Sequence, residues 1–211
     1  LRAAHTSVEA VSDDDEALRA LADPRSGSAV LQRSTHTSAR VGTGAIVDLA
    51  GGDLALTATS RARTEVGGAA LTALVGSSDT EASIDTDSAV TGAATLRLDA
   101  TTRESLATRA AVALTSSMAR TAATVAAGSP LFTAGDLFLT ATLDATASAT
   151  GAGAGLALSD HSAVADVRRA LDVAGALNLA ATGVSRTNSF TGAPVLAPTP
   201  AVALLSPALG G

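Results

Sequence analysis

Apolar and polar residues alternate along most of the chain, and the alternation is built on one phrase that returns. Leu54-Ala55-Leu56-Thr57-Ala58-Thr59 comes back as Leu96-Arg97-Leu98-Asp99-Ala100-Thr101, as Leu137-Phe138-Leu139-Thr140-Ala141-Thr142, and as Leu177-Asn178-Leu179-Ala180-Ala181-Thr182. The first leucines stand 42, 41 and 40 residues apart, a period in the range of repeat arrays. Leu, Leu and Ala fall on every second position, so a strand turns all three to one face while the residues between them vary. The constant face is a packing face.

The copies also align between these phrases. Leu31 to Val41 matches Leu74 to Ile84 without a gap, and large apolar residues recur at six-residue steps, as Ile84, Val90, Leu96 and as Val125, Leu131, Leu137. Turn-formers such as Asp85-Thr86-Asp87-Ser88 and Ala127-Gly128-Ser129-Pro130 sit between them. Short strands and tight turns at a fixed interval predict an all-β fold, a right-handed parallel β-helix or β-solenoid of about four 41-residue repeats. With two coils of about 20 residues per repeat and strands about 4.8 Å apart, the rod would be on the order of 50 Å long. The expected structural core is Leu54, Leu56, Ile84, Val90, Leu96, Leu98, Val125, Leu131, Leu137, Leu139, Leu177 and Leu179. A helical alternative exists for two windows, Arg103 to Ala113 and Asp160 to Leu171, on periodicity alone. Their counterparts in neighbouring copies contain Gly151 or Gly128-Ser129-Pro130 and make poor helices.

Two stretches break the repeat. Residues 11–27 read as an inserted helix or loop, with a short helix near 13–23. Ser12 and Asp15 resemble a capping box, Asp13 to Glu16 crowd the would-be N-terminus, and Pro24 closes the element. Residues 1–191 otherwise form the repeat domain, with Leu1 to Ala10 as the tail of an earlier copy. Residues 192–211 form an apolar tail holding four of the six prolines, at 194, 198, 200 and 207, which excludes a central strand. Burial of Val195, Leu196, Val202, Leu204 and Leu205 in this tail against a neighbouring subunit is the expected subunit contact.

Composition narrows the interior. Apolar residues make up 46%, yet there are three Phe, one Met and no Trp, Tyr or Cys. Ala, Val and Leu must line a thin core between close strand layers, because aromatics normally fill a wide one. A net charge of −6 and scattered arginines disfavour a nucleic-acid partner. No apolar run is long enough for a transmembrane helix. The chain opens at Leu1 without a signal-peptide layout, and is read as part of something longer.

The succession Ala70-Leu71-Thr72-Ala73-Leu74-Val75, Thr80-Glu81-Ala82-Ser83-Ile84-Asp85, Ala89-Val90-Thr91-Gly92 and Leu96-Arg97-Leu98-Asp99-Ala100-Thr101 resembles one unit of the tandem β-solenoid repeats in large bacterial exoproteins, the filamentous-haemagglutinin-like and autotransporter-like adhesins. The resemblance covers roughly residues 29–190. It implies an extracellular or cell-surface β-helix that serves as an adhesive or structural stalk, as a filament subunit or a segment of a giant exoprotein, and it carries over no catalytic residues. Asn178 and Asn188 are the only asparagines, so the stacked Asn ladders of such folds are missing.

Candidate chemistry is sparse. His5, His36 and His161 fall on turns or outward positions of different repeats and lack metal-pair spacing. Asp13 to Glu16, and Asp85 with Asp87, offer oxygens for calcium, but without the spaced Asp and Gly of a dedicated loop. Neither metal nor cofactor is therefore expected. Asp99, Arg97, Arg103 and Glu104 are the densest group that could serve a polysaccharide-active enzyme, and they read equally as a solvated face. Thr57 with Thr59 and Thr140 with Thr142 form Thr-x-Thr pairs of the kind found in ice-binding solenoids, though Thr also simply suits strands. The expected function is structural and adhesive, without turnover. A carbohydrate- or surface-binding module is the alternative, and the expected partners are further copies end to end, a longer chain, or a surface polysaccharide.

Overall fold

The computed structural model describes residues 5–16 and 27–192, all strand and turn, with no helix among them. The strands are β1 (His5–Glu16), β2 (Ser28–Val41), β3 (Ile46–Asp48), β4 (Asp53–Gly67), β5 (Leu71–Ile84), β6 (Ala89–Thr91), β7 (Ala93–Val125), β8 (Leu131–Val167), β9 (Leu171–Val173) and β10 (Leu177–Thr191). Every pairing among them is parallel. The recurring phrase sets the register, with Leu54 beside Leu96, Leu96 beside Leu137, and Leu137 beside Leu177.

Two strands turn a corner without ending. β7 runs 33 residues and shifts register between Ala110 and Val112. Its first half pairs with β4 and its second with β5. β8 follows β7 along both halves. One long side is thus β1, β4, β7, β8 and β10, and the other is β2, β5, β7 and β8. A short third side joins them at one end, where β3 pairs with β6 and the start of β8 pairs with β9.

This register replaces two coils of about 20 residues per repeat with a single flattened turn per repeat, since partners lie a whole repeat apart. The physical reason is that a strand of 14 or 15 residues can keep one face packed if a second long strand lies against it. Small side chains then span the narrow gap. Five strands about 4.8 Å apart make the long side only about 19 Å deep along the stack, well short of the expected rod.

Alternation does the packing. In β4 the buried positions are Leu54, Leu56, Ala58, Ser60, Ala62, Thr64 and Val66, and along the stretch of β7 that pairs with it they are Leu96, Leu98, Ala100, Thr102, Glu104, Leu106 and Thr108. Register stacks these into inward columns, such as Ala58, Ala100 and Ala141, all fully buried. The six-residue steps mark the narrow end, where the last residue of β5 (Ile84), the middle of β6 (Val90) and the first leucine of the next long side (Leu96) converge in one cluster. Each buried Leu there contributes about 1.5–3 kcal/mol.

Ten of the expected core residues, all but Leu177 and Leu179, are at most 2% exposed. Leu177 and Leu179 are 49% and 44% exposed. They lie on β10, the last described strand, and residues 193–211 fall outside the described ones. The interior is also more polar than Ala, Val and Leu alone: Ser60, Thr64, Thr72, Ser78, Thr80, Thr102, Thr108, Thr115, Ser117 and Thr121 are all buried. Several pair across the gap, as Thr102 to Thr80 at 2.8 Å and Thr121 to Thr102 at 2.6 Å.

The helix expected near 13–23 is absent where it can be seen. Asp13 to Glu16 continue β1, in register with Arg61, Ala62, Arg63 and Thr64. Acids read as a helix N-terminus instead continue a strand paired with β4. Residues 17–23 lie outside the described ones. The two other helical windows are strand, with β8 ending at Val167 before a turn that leads to β9.

Candidate functional site

The outer face of the first long side carries the residues singled out for a carbohydrate enzyme, and the pleat separates them. Arg97 and Asp99 point outward and form an ion pair that raises the arginine's pKa, first through the hydrogen bond and then through the carboxylate's charge. Arg103 is also exposed. Glu104, one residue on, points into the interior and is 4% exposed. The expected solvated group is therefore corrected, because alternation sends Glu104 through to the opposite face. Thr59, Thr101, Thr142 and Thr182 stand in an unbroken column, whereas Thr57, Asp99, Thr140 and Ala180 form an interrupted one.

Asp85 and Asp87 serve the turn. Asp87 takes a positive φ of 57°, matching Gly44 at 72° in the neighbouring turn, a backbone region that Asp tolerates better than most side chains. Ser83 Oγ donates to Asp85 Oδ1 at 3.0 Å, and Ser88 Oγ to the Asp85 carbonyl at 2.6 Å. No group of three His, Cys, Asp or Glu among the described residues is placed to hold a metal ion.

Arg169 ties these turns together. Its Nε donates to the Ala126 carbonyl (2.6 Å), Nη1 to that of Ser88 (2.7 Å) and Nη2 to that of Asp85 (2.8 Å). Burial lowers its pKa from the ordinary arginine value, and the charge of Asp87 acts in the opposite sense. A planar fork meets three carbonyls in a way a lysine ammonium cannot. Arg169→Lys is expected to cost about 1–2 kcal/mol through loss of charge-assisted bonds, read as a lower urea midpoint with an unchanged slope. An unchanged midpoint would remove Arg169 from this role.

The second long side carries a shallow depression on its outer face, about 290 Å³ in volume and lined by Ser77, Ser78, Asp79, Met118, Ala119, Arg120, Asp160 and Ser162. Three successive turns of the chain contribute to it through β5, β7 and β8, whose registers place Asp79 beside Arg120 and Arg120 beside Ser162. Met118 is 48% exposed on it. At its rim His36 Nδ1 lies 3.3 Å from Asp79 Oδ2. Nothing in the repeating phrase pointed here, because the residues belong to the varying positions of different copies.

Inside the same side lies a chain of polar groups that sequence reasoning also missed. Both oxygens of Glu104 accept hydroxyl protons, one from Ser78 and one from Ser117. Ser117 Oγ lies 2.8 Å from His161 Nε2, and His161 Nδ1 lies 2.7 Å from Ser185 Oγ. Thr35 Oγ1 lies 3.3 Å from Ser78 Oγ at the other end. His161 thus corrects the expectation of an outward histidine. It stands in register with the buried Ala119, and burial pushes its pKa below the ordinary histidine value while Glu104 and Asp160 raise it. His36 is outward as expected, and of His5 only its place in β1 is described. The expected subunit contacts Val195, Leu196, Val202, Leu204 and Leu205 lie outside the described residues.

Comparison with family models, with curated proteins and with solved structures finds no match to this chain.

Proposed function

We propose that the chain is a structural and adhesive β-solenoid, built from about four 41-residue repeats, that acts outside the cell or at its surface. It serves as a filament subunit or as a segment of a much longer exoprotein, without turnover. The supporting observation is the division of labour between faces. Within the recurring phrase the inward columns keep the same kind of residue from strand to strand, as in Leu56, Leu98 and Leu139, while their outward neighbours change from Ala55 to Arg97 to Phe138. A scaffold needs that arrangement, because stacking alone defines it and the outer surface is left free to vary.

Parallel strands that stack at a constant repeat also leave a strand edge at either end, and an edge invites further pairing unless it is covered. End-to-end growth or continuation in a longer chain follows from this. Sedimentation and electron microscopy across a concentration series are expected to show rods lengthening in one direction. A compact particle of one size at every concentration contradicts end-to-end association of this chain.

A second reading, binding of a surface polysaccharide, is favoured by the depression around Met118 and Arg120, to which three turns of the chain contribute. If it holds, immobilised chain captures glycans in a saturable manner and the double variant Asp79→Ala, Arg120→Ala loses at least tenfold in affinity, about 1.4 kcal/mol. Adhesion that is unchanged in this variant leaves the scaffold reading and removes the depression as its site.

A further inference from the structure

We propose that the polar chain through the interior makes the end strand β10 acid-releasable, with His161 as the group that couples pH to its attachment. The chain touches every layer of the stack: Thr35 on β2, Ser78 on β5, Glu104 and Ser117 on β7, His161 on β8 and Ser185 on β10.

Donor counting fixes its direction. Glu104 has no proton to give as a carboxylate, so Ser78 and Ser117 each spend their single hydroxyl proton on it. Ser117 oxygen must then accept from His161 Nε2–H, which leaves Nδ1 as an acceptor for the Ser185 hydroxyl. In neutral His161 every bond from β10 inward runs toward the carboxylate. Protonation at Nδ1 destroys the acceptor that Ser185 uses and forces its hydroxyl to turn about.

β10 is the strand most exposed to that change. It pairs on one edge with β8, and its inward side chains reach across to β8 at three points. These are Ser185 to His161, Thr187 Oγ1 to Ser159 Oγ at 2.5 Å, and Ser189 Oγ accepting from the Ala157 amide at 2.9 Å. Leu177, Leu179 and Phe190 on it are 44% exposed or more, so little apolar burial holds it down.

The charged groups around His161 are few. Glu104 faces it from β7 and Asp160 adjoins it on β8, whereas β5 offers Ser78 and β10 offers Ser185, both uncharged. Arg33, inward on β2, donates to Thr64 at 2.8 Å. Burial disfavours the imidazolium more than the two carboxylates favour it, so the folded pKa lies below the unfolded one. The open state therefore binds more protons. Attachment of β10 is full above the unfolded histidine value of about 6.5 and is lost as pH falls from there through the folded value.

The test is hydrogen exchange followed by mass spectrometry on the full chain at pH 7.5 and pH 5, corrected for the intrinsic pH dependence of exchange. Peptides from Leu177 to Thr191 are expected to lose protection several-fold at the lower pH, with the phrase Leu96 to Thr101 unchanged. His161→Gln, which retains ring-sized polarity without titrating in this range, is expected to abolish the difference, as is Ser185→Ala at a lower overall protection. Equal protection of β10 at both pH values in the native chain overturns the proposal. So does a pH response that survives His161→Gln.

Discussion

Leu98→Ala is expected to cost about 3 kcal/mol, within the range of about 2–5 kcal/mol for emptying a fully buried leucine site. Leu179→Ala, the same position of the same phrase, is expected to cost about 1 kcal/mol or less. Both stand in one column with Leu56 and Leu139, but Leu98 is fully buried and Leu179 is 44% exposed. The difference arises from what covers each. Leu98 has a strand on either side, with Leu56, Leu96, Ala100 and Leu139 in its cluster. Packed walls of parallel strands cannot close onto a lost isobutyl group without shifting their register, so the cavity persists. Urea unfolding of the two variants side by side checks this. Equal costs would show that the columns do not distinguish the middle of the stack from its end.

A second large effect is expected at the corner of β8. A Cβ at Gly151 would overlap the carbonyl group of Ala154 and crowd the amide of Gly155, so Gly151→Val is expected to destabilise by about 3 kcal/mol or more. Backbone, unlike the tip of a side chain, cannot rotate away. Gly151 stands beside Ala110 of β7, next to the register shift where that strand also turns, and the tight fold of β8 at this point aligns both of its halves with the halves of β7. Gly42 provides the contrast, because a Cβ there meets nothing within 4 Å. Gly42→Ala is expected to be neutral or to stabilise by less than about 1 kcal/mol through the unfolded chain. Thermal midpoints of the two variants measure both expectations, and a Gly151 variant as stable as the parent would deny the corner.

Much of this was legible in the residues. The inward positions follow from the two-residue alternation within Leu54 to Thr59 and its copies, and the columns follow from the spacing of the copies. The six-residue steps through Ile84, Val90 and Leu96 located the narrow end. Period alone could not give the cross-section, because a 41-residue repeat fits one flattened turn or two smaller ones. Deciding between them requires knowing that Thr80, Thr102 and Thr121 can lie inside by bonding one another across the gap.

The same blind spot hid Glu104 and His161. Each is a polar residue at an inward position, and a polar residue is read as outward unless its partners are known. Ser78, Ser117 and Ser185 supply those partners from 13 to 44 residues away in the chain. Asp13 to Glu16 misled for a related reason, since acids before an Ala-Leu run suit a helix start as well as a strand that lies beside Arg61 and Arg63.

The register itself is open to one direct measurement. The chain has no cysteine, so pairs introduced on the outer face report only on their own spacing. Thr101 and Thr142 are partners on adjacent parallel strands, about 4.8 Å apart and within the span a disulfide bridges. Thr101 and Arg120, on opposite long sides, lie nearer the separation that two coils per repeat would bring together. Under mild oxidation the variant Thr101→Cys, Thr142→Cys is expected to form an intramolecular disulfide in good yield, and Thr101→Cys, Arg120→Cys to stay reduced. Cross-linking of the second pair without the first would contradict the one-turn stack on which the rest depends.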